Sequence, residues 1–439
     1  MTKKTSALLL TVMFLFSVLL AGCGGKDSAP PAPAPGDTNS SNASSDGNQS
    51  AKKLSGNITV WVHPYVGDEL KDEMNVVWDQ IVSSYNSKYP DVKVKIEEIP
   101  WKNREQKILT ALAANNGPDV FYQLPDQIPQ FATKNVLEPL DSYMDDNNME
   151  DFNQGALAAG IYENNLYALP ILQEAQTLIY NTDIIQAIGE DPAKLPATWD
   201  EFNVWAEKAV AQGFFARDFP GGIACCNSTL YPMLWQQGGD VIDSGGKVII
   251  NNDKGVATFQ MIKDMYDNGW IPKDSISNQD QFPEFLSGKM LAIWGSGYSL
   301  GILKEEGKNF VLGSPLRGQE ESSFGTVGLF AVPSNSKNKE AAVEFIKELT
   351  NTESQKLFNQ LTKYIPARQS AAGIYDGDEE MQKFIEVAAV SRPGVMSPVA
   401  RTIMPKIQAE ISAMLEGSKT PQTAADDAAK AIEEELNKR

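Results

Sequence analysis

The sequence predicts an α/β body built on two sheets rather than one, set behind a non-globular leader. Three observations lead there. From residue 56 onward, short β-rich runs alternate with runs of helical period. The same alternation restarts in the middle of the chain and returns to its first part late. Residues 56–439 are also enough for two lobes of ordinary domain size.

The leader comes first. Lys3 and Lys4 precede an apolar run from Ala7 to Leu20, which ends in Ala21-Gly22-Cys23. A positive start, a short apolar core and a small-residue cleavage site describe a secretory signal over residues 1–22. The run is short for a membrane span, which needs about 20 apolar residues. Leu20-Ala21-Gly22-Cys23 resembles a bacterial lipobox. That resemblance implies that Cys23 carries lipid and becomes the mature N-terminus, anchored at the extracellular face of the cell membrane. Residues 23–55 are Gly, Ser, Pro, Asn, Asp and Ala in the main, with Pro and Ala interleaved from Ala29 to Pro35. Such a stretch cannot bury enough apolar area to order itself, and reads as a tether.

In the body, Asn57 to Val62 reads as a strand, with Ile58, Val60 and Val62 on one face and Trp61 in the core. Glu69 to Lys88 carries Leu70, Met74, Val77, Ile81 and Tyr85 at helical spacing, and Tyr89-Pro90 stops it. Val92 to Ile96 alternates strictly and reads as a half-buried strand. Lys102 to Asn115 is a second helix, ended by Asn116-Gly117-Pro118, and Asp119 to Tyr122 a third strand. Strand-helix-strand-helix-strand builds a parallel sheet with covered faces. In the middle, Thr198-Trp199-Asp200-Glu201 is a capping box opening a helix to Gln212. Val248 to Ile250 reads as a strand, and Asp253 to Asn268 as a helix stopped by Gly269. Pro283 to Ser287 is a short helix, and Met290 to Ile293 a strand. Gly328 to Val332 is a strand, followed by helices over Asn338 to Thr350 and Thr352 to Leu361. Pro366-Ala367-Arg368 reads as a turn with surface charge. The tail from Arg401 is two helices divided at Pro421.

Composition excludes several functions. The chain carries a net charge of -19, and losing Lys3 and Lys4 makes the body more acidic still. That argues against nucleic acid, whose phosphates demand Lys and Arg. His63 is the single histidine, which argues against a Ser-His-Asp triad and a histidine-rich metal site. No phosphate loop or dinucleotide fingerprint is present, and no cofactor or metal is expected. Adjacent Cys225 and Cys226 read as buried small residues, because a ring between neighbours is strained.

In open α/β sheets, ligands sit beyond the carboxyl ends of the strands. The residues there are His63 and Tyr65 after the first strand, Trp101 after the second, and Gln123, Asp126 and Gln127 after the third. Gln173 and Glu174 follow Leu166 to Ile171, and Ser296 and Tyr298 follow Met290 to Ile293. Trp294 sits within or at the end of that last strand and reads as core first, with ligand contact as the second reading. Aromatic faces beside amides and carboxylates suit a sugar, whose C–H faces stack and whose hydroxyls need matched partners.

At these residues the chain resembles the extracellular solute-binding proteins of ABC importers, family 1, in the sugar-binding, maltose-binding-protein-like group. The resemblance rests on Ile58 to His63, on Gly117-Pro118-Asp119-Val120 with Asp126, on Leu166 to Asp183, on Gly288 to Ile293 with Tyr298, and on Gly325 to Pro333. It implies a two-lobe periplasmic-binding-protein-like fold of type II, each lobe a mostly parallel sheet flanked by helices, joined by a hinge. Residues 56–172 and 328–388 would form lobe 1, and 173–327 and 389–439 lobe 2. By position, Glu174 and Asp126 match sugar-contacting carboxylates and Tyr298 a stacking aromatic. Gln127 stands where the pattern has a basic residue. His63 and Tyr65 stand at polar contacts, Tyr231 and Trp235 at another aromatic contact, and Arg401 near a late cleft-facing segment.

The expected function is therefore capture of a carbohydrate in an interlobe cleft and delivery to a membrane permease, by a monomer with no catalytic residues. Closure would hinge at crossings near 170–180, 313–328 and 386–396. A tethered glycoside hydrolase would display similar aromatics and acids, although the split topology argues against an eightfold barrel. A non-sugar solute stays open. The acidic surface disfavours a polyanionic ligand unless a local arginine overturns that.

Overall fold

The computed structural model describes residues 53–144, 147–221, 225–278 and 280–438, with the Cys225 side chain excepted. The signal over 1–22, Cys23 and the tether as far as residue 52 lie outside the described residues. Leu54, in the last part of the tether, is buried against the first core.

Two sheets organise the body. The first has the order Ile365–Pro366, Ala168–Ala175, Ser323–Ala331, β3 (Val120–Gln123), β1 (Gly56–Val62), β2 (Val92–Glu98). β1 runs parallel to β2 in register from Gly56 opposite Val92 to Val62 opposite Glu98, and parallel to β3 at Val60 opposite Val120. Helices Lys71–Lys88 (α1) and Arg104–Ala113 (α2) make the crossovers. The second sheet has the order Phe310–Leu312, Thr177–Asn181, Met290–Gly295, Phe215–Arg217. Parallel pairing is narrower than expected. Ser323–Ala331 runs antiparallel to both β3 and Ala168–Ala175, and in the second sheet only Phe215–Arg217 is parallel to its neighbour. Parallel neighbours need a long crossover. β1, β2 and β3 have helical ones, whereas the remaining strands of the first sheet carry the chain to and from the second.

α1 shows how sequence becomes packing. Met74, Val77, Trp78, Ile81 and Tyr85 recur at three- and four-residue steps and are all buried. Each large side chain so buried contributes about 1.5–3 kcal/mol, and Tyr85 donates its hydroxyl to the carbonyl of Ala341 at 2.9 Å. Helices Trp199–Ala211, Asp253–Asp267, Ala400–Leu415 and Pro421–Leu436 enclose a second core. A third, smaller cluster draws on both sheets, joining Ala175 and Ile365 to Ile179, Met290, Ile293 and to Met381 and Phe384 of Glu379–Ala388. Val248 to Ile250 is no strand. Val248 makes one isolated bridge to Ile242, across a turn tied by the Asp243 carboxylate to the Gly245 and Lys247 amides.

The chain passes between the sheets at one place. Ala168–Ala175 in the first sheet continues through Gln176 into Thr177–Asn181 in the second. Gly325 pairs with Ala175, and Ser323 and Phe324 pair in turn with Ser391 and Arg392. Three crossings are thus laced side by side. Gly325 permits this, since a Cβ there would lie 2.6 Å from both the Glu174 carbonyl and the Ser391 Cβ. Cys226 is buried, with its thiol 3.8 Å from the Met404 carbonyl. Among the described residues no helix is long and apolar enough to cross a membrane.

Candidate functional site

The three parallel strands deliver their following residues to one edge of the first sheet. β1 leads into His63 and Tyr65, β2 into Trp101, and β3 ends on Gln123 before Asp126 and Gln127. His63 is buried, and its Nδ1–H donates to the carbonyl of Ile99 at 2.8 Å. Its other face stacks on Trp101, with centroids 4.1 Å apart and planes 18° off parallel. Trp101 is fixed by donating Nε1–H to the Pro64 carbonyl at 2.8 Å. Tyr122 meets both His63 and Tyr65 edge-on, at 5.5 and 5.4 Å. Burial first, and then the Arg104 guanidinium, lower the His63 pKa to about 4, so the imidazole is neutral and presents a bare Nε2.

Asp126 and Arg401 join the two lobes. Arg401, on helix Ala400–Leu415 of the second core, places Nη2 3.0 Å from Asp126 Oδ1 and Nε 2.9 Å from Oδ2. The first is a charge-assisted hydrogen bond; Nε and Oδ2 are close as charges but make no hydrogen bond. Burial still raises the Asp126 carboxyl, with Arg401 and Arg104 opposing the rise. Gln127 is held by its Oε1 accepting from the Leu124 amide at 3.2 Å.

Glu174 and Tyr298 both act on the hydroxyl of Tyr364. Glu174 lies inside the strand Ala168–Ala175 rather than after it, because that strand runs on past Ile171. Burial raises its carboxyl, against hydrogen bonds from Ser296 and Gln176. Tyr298 is 57% exposed, in the first turn of helix Gly297–Glu305. It shares a groove of about 280 Å³ with Tyr65, Ile302 and Leu361. The lobes approach closely here: a Cβ on Gly297 would sit 2.8 Å from the Lys363 carbonyl.

Buried polar atoms without a protein partner include His63 Nε2 and both amide atoms of Gln123 at this edge, and Trp294 Nε1 on the second sheet. Such groups are costly unless a bound molecule satisfies them. Trp294 is partly buried against the second core, 5.7 Å from the guanidinium of buried Arg217. Tyr231 and Trp235, expected at the cleft, are wholly buried in the second core, with Trp235 donating to Asp240 at 3.4 Å. Their helix, Leu230–Gln236, is buried on every side, so both rings pack inward.

Three residues at the site escaped the sequence reading. Arg104 lies over Trp101, Tyr122 fills the centre of the aromatic group, and Tyr364 sits where Glu174 and Tyr298 act on its hydroxyl. Arg104 opens α2 just after β2 and Trp101, and Tyr364 immediately precedes Ile365–Pro366, positions at element ends that could have drawn attention to them. Among the described residues no group of His, Cys, Asp and Glu is placed to hold a metal.

Residues 80–388 match the family described as bacterial extracellular solute-binding protein. A galactooligosaccharide-binding protein of Bacillus subtilis is 26% identical over 98% of this chain and 96% of its own length. A maltotriose-binding protein of Pyrococcus abyssi is 28% identical over 72% and 68%. In fold, the chain resembles an ABC substrate-binding protein of Listeria monocytogenes solved with cycloalternan. That match has a TM-score of 0.74 at 19% identity and covers 87% of this chain and 99% of that one. A cyclic α-maltosyl-1,6-maltose binding protein of Arthrobacter globiformis gives a TM-score of 0.74 at 20% identity, over 86% and 98%. The two-sheet body described above has the fold of these solved proteins, and the match over residues 80–388 shows that this chain belongs to the bacterial extracellular solute-binding proteins.

Proposed function

We propose that the protein captures a carbohydrate, an oligosaccharide in particular, between its lobes and hands it to the membrane permease of an ABC importer. The observation that carries this is the combination at one sheet edge of aromatic faces with buried, partnerless polar atoms. The His63–Trp101 stack, Tyr65 and Tyr122 stand beside His63 Nε2 and the Gln123 amide. A sugar supplies both C–H faces for the rings and hydroxyls for the orphaned groups. The names of the relatives, which bind galactooligosaccharide and maltotriose, support the same class.

In this reading Glu174, Asp126, Gln123, Gln127, His63, Tyr65, Trp101, Trp294 and Arg401 contact ligand, and Tyr298 provides a platform from the opposite lobe. Ligand touching both lobes binds the closed form better and shifts the population toward it. The permease then reads the closed form. The laced crossings support lobes divided near 172–173, 327–328 and 388–389, with the reservation in packing that Glu379–Ala388 joins the cluster shared by both sheets. Lipid on Cys23 would hold this monomeric carrier near its permease, with the polar tether giving it reach.

Titration calorimetry against an oligosaccharide panel, with solution scattering on the same samples, tests the reading. Stoichiometric binding with compaction is expected; no binder and no compaction across a broad panel would rule it out. Tyr298→Ala and Glu174→Ala should each weaken binding by about tenfold, equivalent to about 1.4 kcal/mol, while the melting temperature stays near that of the parent. Unchanged affinity in both would place the cleft elsewhere.

A further inference from the structure

Arg104 carries a charge that nothing in contact balances. Among the described residues no carboxylate lies within 4.0 Å of its guanidinium, its side chain makes no hydrogen bond, and its Nη1 is buried without a partner. Two aromatic rings hold it: Cζ lies 4.9 Å from the Trp101 centroid and 5.9 Å from that of Tyr122. Ring faces attract a cation, but an unpaired, largely desolvated charge stays costly. Arg104 feels Arg401 and Asp126 as neighbouring charges. Both Asp126 oxygens already face Arg401, so two guanidinia share one carboxylate.

A cavity of about 380 Å³ opens over this pair, lined by Trp101, Arg104, Gln127 and Arg401 and by the first turn of α2. That turn starts at Asn103, which has φ 59° and makes no side-chain cap, so it adds the partial positive charge of a helix N-terminus. Glu105 also lines the cavity, yet its carboxylate pairs with neither arginine. In a chain of net charge -19, two arginines here locally offset the two carboxylates, Asp126 and Glu105.

We propose that the transported solute is an acidic saccharide, whose uronate-type carboxylate is received between Arg104 and Arg401. The proposal rests on the carbohydrate reading above and narrows it. An anion at this point gives Arg104 its missing partner, while the sugar ring it belongs to occupies the cavity beside the exposed edge of Trp101. The planar fork of Arg104 matches a carboxylate. It has no comparable match in a neutral sugar, which offers single hydroxyls.

The test is calorimetry on matched pairs: trigalacturonate and trimannuronate, each against its carboxyl-reduced, neutral counterpart. At least one acidic member should bind tenfold or more tightly than its neutral twin, with affinity falling as sodium chloride rises. Arg104→Gln should bring that pair within about threefold of one another, and Arg104→Lys should retain part of the preference. Thermal melting checks that both variants fold, and the wild-type comparison stands without them. Neutral members binding as tightly as acidic ones, or Arg104→Gln weakening both alike, would overturn the carboxylate assignment and leave the carbohydrate reading intact. Binding by neither class at millimolar concentration would also overturn the carboxylate assignment, and the broad panel above would then decide the carbohydrate reading.

Discussion

His63 illustrates how the surroundings of one residue set its charge and so its use. Its folded pKa, about 4, lies below the ordinary value of 6.5, so between those values the unfolded chain binds a proton that the folded chain refuses. The stability this residue contributes is present above about pH 6.5 and is lost as pH falls toward 4, by at most about 3 kcal/mol. Asp218, raised by burial to about 6, has the opposite sign and loses its contribution as pH rises through that value. Comparison with His63→Gln, which keeps a donor for the Ile99 carbonyl, isolates the histidine. Between pH 7 and pH 5 the urea midpoint of the parent should fall further than that of the variant; parallel curves would mean that His63 is not held neutral. Residues like this were legible because they directly follow predicted strands. Tyr122 was not, because it sits inside β3, where alternation of faces says nothing about how far a ring reaches along the sheet edge. Arg368 misled in the other direction. Read as surface charge, it is buried over the Phe152 ring at 3.8 Å and donates to the Asn148 carbonyl and the Asp151 carboxylate. Its partners lie some 220 positions away in sequence, beyond any local pattern.

At the scale of elements, those with strong local signals were read well. The helix at Trp199–Ala211 starts where Thr198 and Glu201 say it should: Thr198 Oγ1 accepts from the Glu201 amide at 3.3 Å, and Glu201 Oε2 accepts from the Thr198 amide at 3.0 Å. Thr198→Ala should therefore cost about 1 kcal/mol, read as a lower urea midpoint with an unchanged slope; no shift would mean the cap is dispensable. Elements whose identity depends on distant pairing were read less well. Val248 to Ile250 has β-type residues but no neighbouring strand to complete a ladder. The strand Ala168–Ala175 runs past its expected end because Ser323–Ala331, some 150 residues later, pairs along it. The direction of that pairing is likewise a property of two segments, which explains why the sheets are more mixed than expected.

At the scale of the whole molecule, two of the contacts where the lobes meet lie at the candidate site. Asp126–Arg401 bonds them across the site, and Gly297 lets helix Gly297–Glu305 approach the Lys363 carbonyl. Gly297→Val places bulk at that approach. It should leave the melting temperature near the parent's yet keep the radius of gyration, by scattering, larger in the presence of ligand. Full compaction in the variant would show that the approach at Gly297 is not required for closure. The body thus divides its tasks, with crossings that fix where the lobes turn and a facing edge that fixes how far.

The distribution of indoles has a practical result. Of the chain's eight tryptophans, Trp61, Trp78, Trp199, Trp205 and Trp235 are buried, and Trp101 at 39% exposure is the most open. That same ring stacks on His63 and borders the arginine cavity. If the solute binds as proposed above, light emission from this protein is a label already installed where it lands. A dissolved quencher will reach Trp101 ahead of the buried rings, and any occupant of the cavity will shield it, so solute arrival can be followed in real time on unmodified protein.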